Sequence, residues 1–220
     1  MIGGWWVSNL LGQSNGTVML ASWVVLVIGS IVLHELAHGW AAIFKGDRTP
    51  IELGHMTWNP LVHMGQTSLI LFAVFGFAFG AMPVSPSRLR GRYAEAFVAA
   101  AGPAMNALLA LVCIVLGGVV VGLSKQIGEP LAANLTIFFT FGVALNVALM
   151  LFNLLPIMPL DGGRILGNVS RDYARLWESE NAQWVAFGLF IVAFMFGGRY
   201  VLPLGFRVAG DGMGFVAGLF

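Results

Sequence analysis

Charge is what this sequence has least of. Asp, Glu, Lys and Arg make up only 10% of its 220 residues, against about a quarter in an ordinary soluble domain, which excludes a water-exposed globular fold. The little charge present nearly cancels: 11 basic and 10 acidic side chains leave a formal net charge of +1, so nothing favours nucleic acid as a partner. Cysteine occurs once, as Cys113. A lone thiol excludes an internal disulfide, and its place inside an apolar run predicts helix packing rather than metal ligation. Residues 1–17 lack the basic flank and small-residue cleavage pattern of a secretory leader, and Trp5 and Trp6 read as interfacial anchors. Repeats and low-complexity tracts are missing too.

What remains is apolar. Hydrophobic residues make up 58% of the chain, with a mean hydropathy of +0.86. The first long run, 17–45, would extend about 42 Å as a helix at 1.5 Å per residue, enough to cross a hydrocarbon core of about 30 Å. Further spans are expected at 94–123, 131–156 and about 182–197, with a glycine-rich interfacial tail from Arg199. Ala99, Ala100, Ala101, Gly102 and Ala104 make the second span one that packs closely in lipid. Residues 67–84 are apolar but short, broken by Gly76 and Gly80 and closed by Pro83 and Pro86. Alternation around Ile51 and Leu53, with Thr57 and Trp58 beyond, predicts one or two short strands. The expected fold is an all-α polytopic membrane protein with about four transmembrane helices, a re-entrant apolar segment and a short β-hairpin. It forms one domain over 1–220, with a core at about 17–168 and an accessory helix and tail over 182–220.

Inside the first run lie His34, Glu35 and His38. Helix positions four apart share a face, so the two imidazoles project together, a spacing that suits one Zn²⁺. Glu35 sits one position round, placed to take a proton from a water at the metal. The bland alternative is a chance H-E-x-x-H with both rings merely hydrogen-bonded. Burial in a spanning helix weighs against it, because ionisable groups there are costly and mark function. Two histidines leave a catalytic zinc one protein ligand short. Asp161 is the candidate third. It follows Asn153 and the helix-breaking Pro156 and Pro159 and precedes Gly162 and Gly163, an unwound stretch able to aim a carboxylate. The competing reading makes Asp161 the cap of a polar helix beginning near Arg164.

Parity decides whether Asp161 can reach. Its end of the third span and the His38 end of the first share a membrane side only if the chain crosses an even number of times between them. Spans 94–123 and 131–156 supply two crossings, so 67–84 must dip in and return. Charge agrees: Lys45, Arg48, Arg88, Arg90, Arg92, Arg164, Arg171 and Arg175 then fall on one side, and Lys125, Arg199 and Arg207 on the other. This matches the positive-inside tendency and directs the site to the cytoplasmic side of a multi-pass cell-membrane protein. Hydropathy alone would instead make 67–84 a plain span.

His34-Glu35-Leu36-Ala37-His38, followed by Asn153, Pro156, Pro159 and Asp161-Gly162, resembles the site-2 protease family of intramembrane metalloproteases, in its compact prokaryotic branch. Gly46-Asp47-Arg48-Thr49-Pro50, Asn59-Pro60-Leu61-Val62-His63 and Gly102-Pro103-Ala104-Met105-Asn106 carry further motifs of that branch, in order, over about residues 30–168. The resemblance implies one zinc per chain held by His34, His38 and Asp161, with Glu35 as catalytic base. It further implies cleavage of peptide bonds in or beside the transmembrane segments of membrane proteins or signal-peptide remnants. Asn153 is implied to hold the substrate carbonyl or oxyanion. Asn106 is either a second oxyanion donor or glue between helices. One position departs from the pattern: an acidic residue commonly stands two after the N-P-x-x-H histidine, and here that residue is Gly65.

An unwound substrate gains main-chain bonds at a sheet edge, and the strand-like 50–58 region is the expected clamp or else a merely structural hairpin. His55 and His63 read first as hydrogen-bonded loop residues, with an approach to the metal or a water path as the alternative. A metal transporter would show polar positions along several spans or an inverted repeat, and a silent scaffold would not need Glu35. The connecting loops are too short for a PDZ-like or CBS-type insertion. The bilayer is the expected setting, and self-association is left open.

Overall fold

The computed structural model describes residues 5–220. A short helix, α1 (Trp6–Leu11), leads into α2 (Gly16–Phe44), an unbroken 29-residue helix that carries the H-E-x-x-H residues. A one-turn helix α3 (Thr49–Glu52) and α4 (Pro60–Phe75) follow. Beyond an extended stretch come α5 (Ala94–Gly122), the short α6 (Ser124–Ile127) and α7 (Leu131–Asn153). The chain ends with α8 (Asp161–Val169), α9 (Arg171–Leu176) and α10 (Glu180–Ala217). Among the described residues α2, α5 and α7 are each long and apolar enough to cross a membrane, and the pair of segments in α10, bent by 45°, makes up to four. The protein is therefore an all-helical, multi-pass membrane protein.

Apolar clusters set the packing, a small one joining Ala41 and Ala42 of α2 to Val98 of α5 and two larger ones farther along the bundle. Leu26, Val27 and Ile31 of α2 meet Met64 and Phe72 of α4 and Leu145 of α7. Ala110 and Cys113 of α5 meet Val143 and Val147 of α7 and Ala209 and Met213 of α10. The tail from Arg199, expected to be interfacial, is the second part of helix α10, packed against α5 and α7. Ala209 and Met213 stand one turn apart on the same face, and Gly117 of α5 leaves the room that Met213 fills. Cys113 is a free, buried thiol lying against Gly142, where a Cβ would come 2.6 Å from its sulfur.

The expected β-hairpin is absent: no strand occurs among the described residues. Where alternation pointed to strands, Pro50 takes a first-turn position of α3, which its fixed φ suits, and Asp47 accepts the Thr49 amide and hydroxyl. Gly54 at φ 70° then ends the turn. Ile51 and Leu53 are simply exposed.

After α4 the chain doubles back. Gly76, at φ 80°, stops the helix, and residues 77–85 return extended beside it. Ser68 Oγ donates to the Phe79 carbonyl and accepts its amide (2.6 and 2.8 Å). The Ala81 amide donates to the His63 carbonyl at 2.9 Å, and the Ser85 amide to Asp47 Oδ2 at 2.7 Å. Asp47 follows the end of α2, so the stretch finishes at the level where α2 finishes. Asp47 is fully buried; burial alone would raise its pKa, but the bonds from Thr49 and Ser85 win and hold it below the usual carboxylate range. α5 and α7 then cross out and back, so Asp161 returns to the His38 end of α2.

Candidate metal centre

The helix places His34 and His38 on one face of α2, their rings edge-on with centroids 4.7 Å apart. Asp161 opens α8 on the far side of the break at Pro156 and Pro159. Leu160 is that helix's N-cap. Gly162 and Gly163 let the first turn of α8 lie on the 154–158 backbone: a Cβ at Gly163 would meet the Ile157 carbonyl carbon at 2.7 Å. That contact aims the aspartate across the bundle at the histidines.

The three ligand atoms form a small triangle. His34 Nε2 and His38 Nε2 are 3.0 Å apart, and Asp161 Oδ2 stands 3.2 Å from the first and 3.4 Å from the second. Ligands at about 2.0–2.1 Å around a tetrahedral Zn²⁺ stand about 3.3 Å from one another, so the spacing fits. All three side chains are buried.

Hydrogen bonding explains why the triangle needs a cation. His38 Nδ1 lies 2.8 Å from the Val98 carbonyl, which can only accept, so this nitrogen carries the proton and Nε2 presents a lone pair. His34 Nδ1 is 2.6 Å from Asn106 Oδ1 and is set the same way. Asp161 Oδ2 is buried without a hydrogen-bond partner. Three electron-pair donors therefore converge with no proton between them while the rings are neutral. A buried polar atom left unpaired is costly; a divalent cation satisfies all three at once.

Glu35, also buried, lies within electrostatic reach of His34, His38, Asp161 and His63. The returning stretch 77–85 passes directly over it. A Cβ at Gly80 would stand 2.7 Å from Glu35 Cγ and Oε1 and 2.8 Å from Ile31 Cγ2. Glycine is what allows an extended backbone to lie this close to the carboxylate.

The remaining expected residues are placed as follows. Asn106 is fully buried, with its oxygen on His34 and its Nδ2 donating to Asn146 Oδ1 at 2.9 Å. Asn153 closes α7 and donates from Nδ2 to the Leu149 carbonyl at 3.0 Å, a bond within its own helix. His63 lies 2.7 Å through Nε2 from the Thr57 carbonyl, and its ring stands edge-on to His55 with centroids 6.2 Å apart. Burial, and then neighbouring His63, push the His55 pKa down. Gly65, where the family pattern places an acid, has φ 65° and ψ 172° inside α4. That backbone is nearly closed to any side chain, so an acid at this position would be strained.

Sequence reasoning missed Asn146, Ser30, Gly80 and the Val98 carbonyl. Asn146 was signalled: an amide in the middle of an apolar 23-residue helix needs a partner. The others depend on contacts between distant parts of the chain.

Comparison with known proteins agrees with this geometry. A family model described as Peptidase family M50 matches residues 22–196. The chain is similar to a Bacillus subtilis protein named "Putative zinc metalloprotease YwhC", at 34% identity over 83% of this chain and 81% of that protein. It is also similar to "Zinc metalloprotease MJ0392" of Methanocaldococcus jannaschii, at 26% identity over 85% of this chain and 46% of that protein. No solved structure matches.

Proposed function

The chain belongs to peptidase family M50 and is a zinc metalloprotease, and from that premise we propose that it hydrolyses peptide bonds in or beside transmembrane segments, with Glu35 as the base. One observation carries the reading. The His34–His38–Asp161 triangle and Glu35 are buried where α2 meets α5, two helices each apolar and long enough to span a bilayer, with α8 and the 77–85 stretch closing over them. A water-soluble substrate has no reason to reach such a place; a membrane-embedded one does.

A zinc ion held by His34, His38 and Asp161 supplies Lewis acidity, lowering the pKa of a water towards about 7 and polarising the scissile carbonyl. Glu35 takes the proton of the attacking water and delivers it to the leaving nitrogen. Asn153, at the end of α7, has a second amide proton for the developing oxyanion. The extended stretch 77–85, whose Gly80 touches Glu35, offers main-chain groups to an unwound substrate. Segment 60–85 is re-entrant in this reading. Lys45, Arg48, Arg88, Arg90, Arg92, Arg164, Arg171 and Arg175 flank the metal side, and Lys125 follows α5 at its far end, so the site faces the cytoplasm. Substrates are single-span membrane proteins or signal-peptide remnants.

The test is metal content alongside cleavage of a single-span substrate in reconstituted vesicles. The purified chain should carry about one zinc, and a chelator should stop cleavage, with zinc restoring it. Asp161→Ala removes one of three protein ligands and should leave zinc substoichiometric. Full zinc loading in that variant would refute the ligand set. Gly80→Ala should behave differently. Its methyl must displace Glu35 or the 77–85 stretch, and a displacement of about 1 Å at a reacting centre costs up to about 10²-fold. Turnover should therefore fall sharply while zinc stays bound. Unchanged turnover would show that the stretch can move aside freely.

A further inference from the structure

Behind His34 runs a chain of buried polar side chains drawn from three helices. His34 Nδ1 meets Asn106 Oδ1 on α5 at 2.6 Å, and Asn106 Nδ2 donates to Asn146 Oδ1 on α7 at 2.9 Å. Asn146 Nδ2 donates to Ser30 Oγ on α2 at 3.0 Å and to the Gly142 carbonyl at 2.9 Å. Asn106 is 0% exposed, Asn146 1% and Ser30 4%, so water does not compete for these bonds.

The chain has a direction, and its far end sets it. An amide can present either its oxygen or its nitrogen, so Asn106 alone would not decide which His34 nitrogen carries the proton. The Gly142 carbonyl can only accept. It forces the nitrogen of Asn146 towards α7's own backbone and towards Ser30, which leaves the Asn146 oxygen facing Asn106. Asn106 must then offer its nitrogen to Asn146 and its oxygen to His34. His34 is thereby protonated on Nδ1, with its Nε2 lone pair turned to the triangle.

We infer that Asn146, anchored by Gly142 and Ser30, is a positioning residue that fixes the metal-binding tautomer of His34 through Asn106. This rests on the metal-centre reading above. It also assigns Asn106 to orienting a ligand, not to the oxyanion. Removing a residue bonded directly to a metal ligand, as Asn106 is to His34, typically changes metal affinity 10- to 100-fold, and Asn146 acts on His34 through that residue.

Asn146→Leu keeps the branched shape and removes the amide. In the full-length chain reconstituted in lipid, its zinc affinity, measured by competition with a chelator, should fall about 10-fold or more. A packing role predicts destabilisation but not the next result. Asn106→Asp replaces the amide by a carboxylate, which accepts from His34 Nδ1 with either oxygen and has no wrong way round. In the Asn106→Asp background, Asn146→Leu should therefore change zinc affinity by no more than about threefold, the loss being non-additive because the two sites share one chain of bonds. Nitrogen NMR of histidine-labelled, metal-free protein should show His34 as the Nδ1-protonated tautomer in the wild type and as a mixture in Asn146→Leu. Should leucine prevent folding, Asn146→Ala carries the same expectations. Wild-type affinity in Asn146→Leu and Asn146→Ala, or equal losses in both backgrounds, would overturn the assignment. A wild-type chain that binds no zinc at all would instead bring down the metal centre itself, and this inference with it.

Discussion

Glu35→Gln should abolish cleavage while leaving the metal in place. The glutamine keeps the volume of a buried side chain packed against Gly80 and Ile31, so the fold has no reason to change. His34, His38 and Asp161 are untouched, so zinc should remain at about one per chain. What is lost is the basic oxygen, because an amide cannot take a proton from water at neutral pH. General acid–base catalysis contributes about 10²–10⁴-fold, and Glu35 serves both proton transfers, so kcat should fall by at least about 10³-fold. The substrate's KM should move little, because the carboxylate acts on water, not on the substrate's side chains. Zinc content, kcat and KM in reconstituted vesicles check this together. Cleavage within tenfold of the wild type, at full zinc loading, would remove Glu35 from the mechanism. Loss of zinc along with activity would show instead that Glu35 supports the ligands.

How much of this was readable beforehand depended on the range of the interaction. The pairing of His34 with His38 follows from helix periodicity alone and needs no tertiary contact. Asp161 lies 123 positions after His38, and because a membrane leaves the chain only two sides, a shared site required 67–84 to turn back, a choice that hydropathy alone left open. The apolar runs 17–45, 94–123 and 131–156 appear as α2, α5 and α7 to within a few residues for the same reason: length and hydropathy are local properties. Errors fell where local pattern met a specific side-chain bond. Ile51 and Leu53 alternate as a strand would, but Pro50 and the Asp47 carboxylate wind the segment into a turn of helix. The glycine-rich tail from Arg199 was expected to be interfacial, yet Gly205 and Gly212 let α10 approach Ala144 and Ile114 closely, which composition does not convey. Asn106 stood in a family motif and could be suspected of a role. Its partner Asn146 stood in none, and only the packing of α5 on α7 joins them.

Gly102→Ala should weaken zinc binding at the metal centre, and it does so against the usual effect of that substitution. In an exposed helix interior, alanine is more favourable than glycine by about 0.8–1.0 kcal/mol, so helix propensity alone predicts a more stable α5. Gly102 is buried in α5, however, directly behind the ligand triangle. A Cβ there would stand 2.5 Å from His34 Cε1 and from His38 Nε2, and closer still to His34 Nε2. These are atoms of two rings already held by Asn106 and by the Val98 carbonyl at 2.6 and 2.8 Å, so they cannot swing away without breaking those bonds. Either the rings leave their places or α5 moves off α2. Both outcomes spread a triangle whose edges are now 3.0–3.4 Å. Overpacking of a well-filled interior costs about 1–3 kcal/mol, which at this position is taken from zinc affinity, a loss of about 5- to 150-fold. Zinc content and cleavage should fall together, and raising the zinc concentration should restore part of both. Gly29→Ala is the control: it lies on exposed α2 surface with no neighbour within 4 Å of an added Cβ, and should keep full zinc and full activity. If Gly102→Ala bound zinc as the wild type does, α5 would not be the wall of this site.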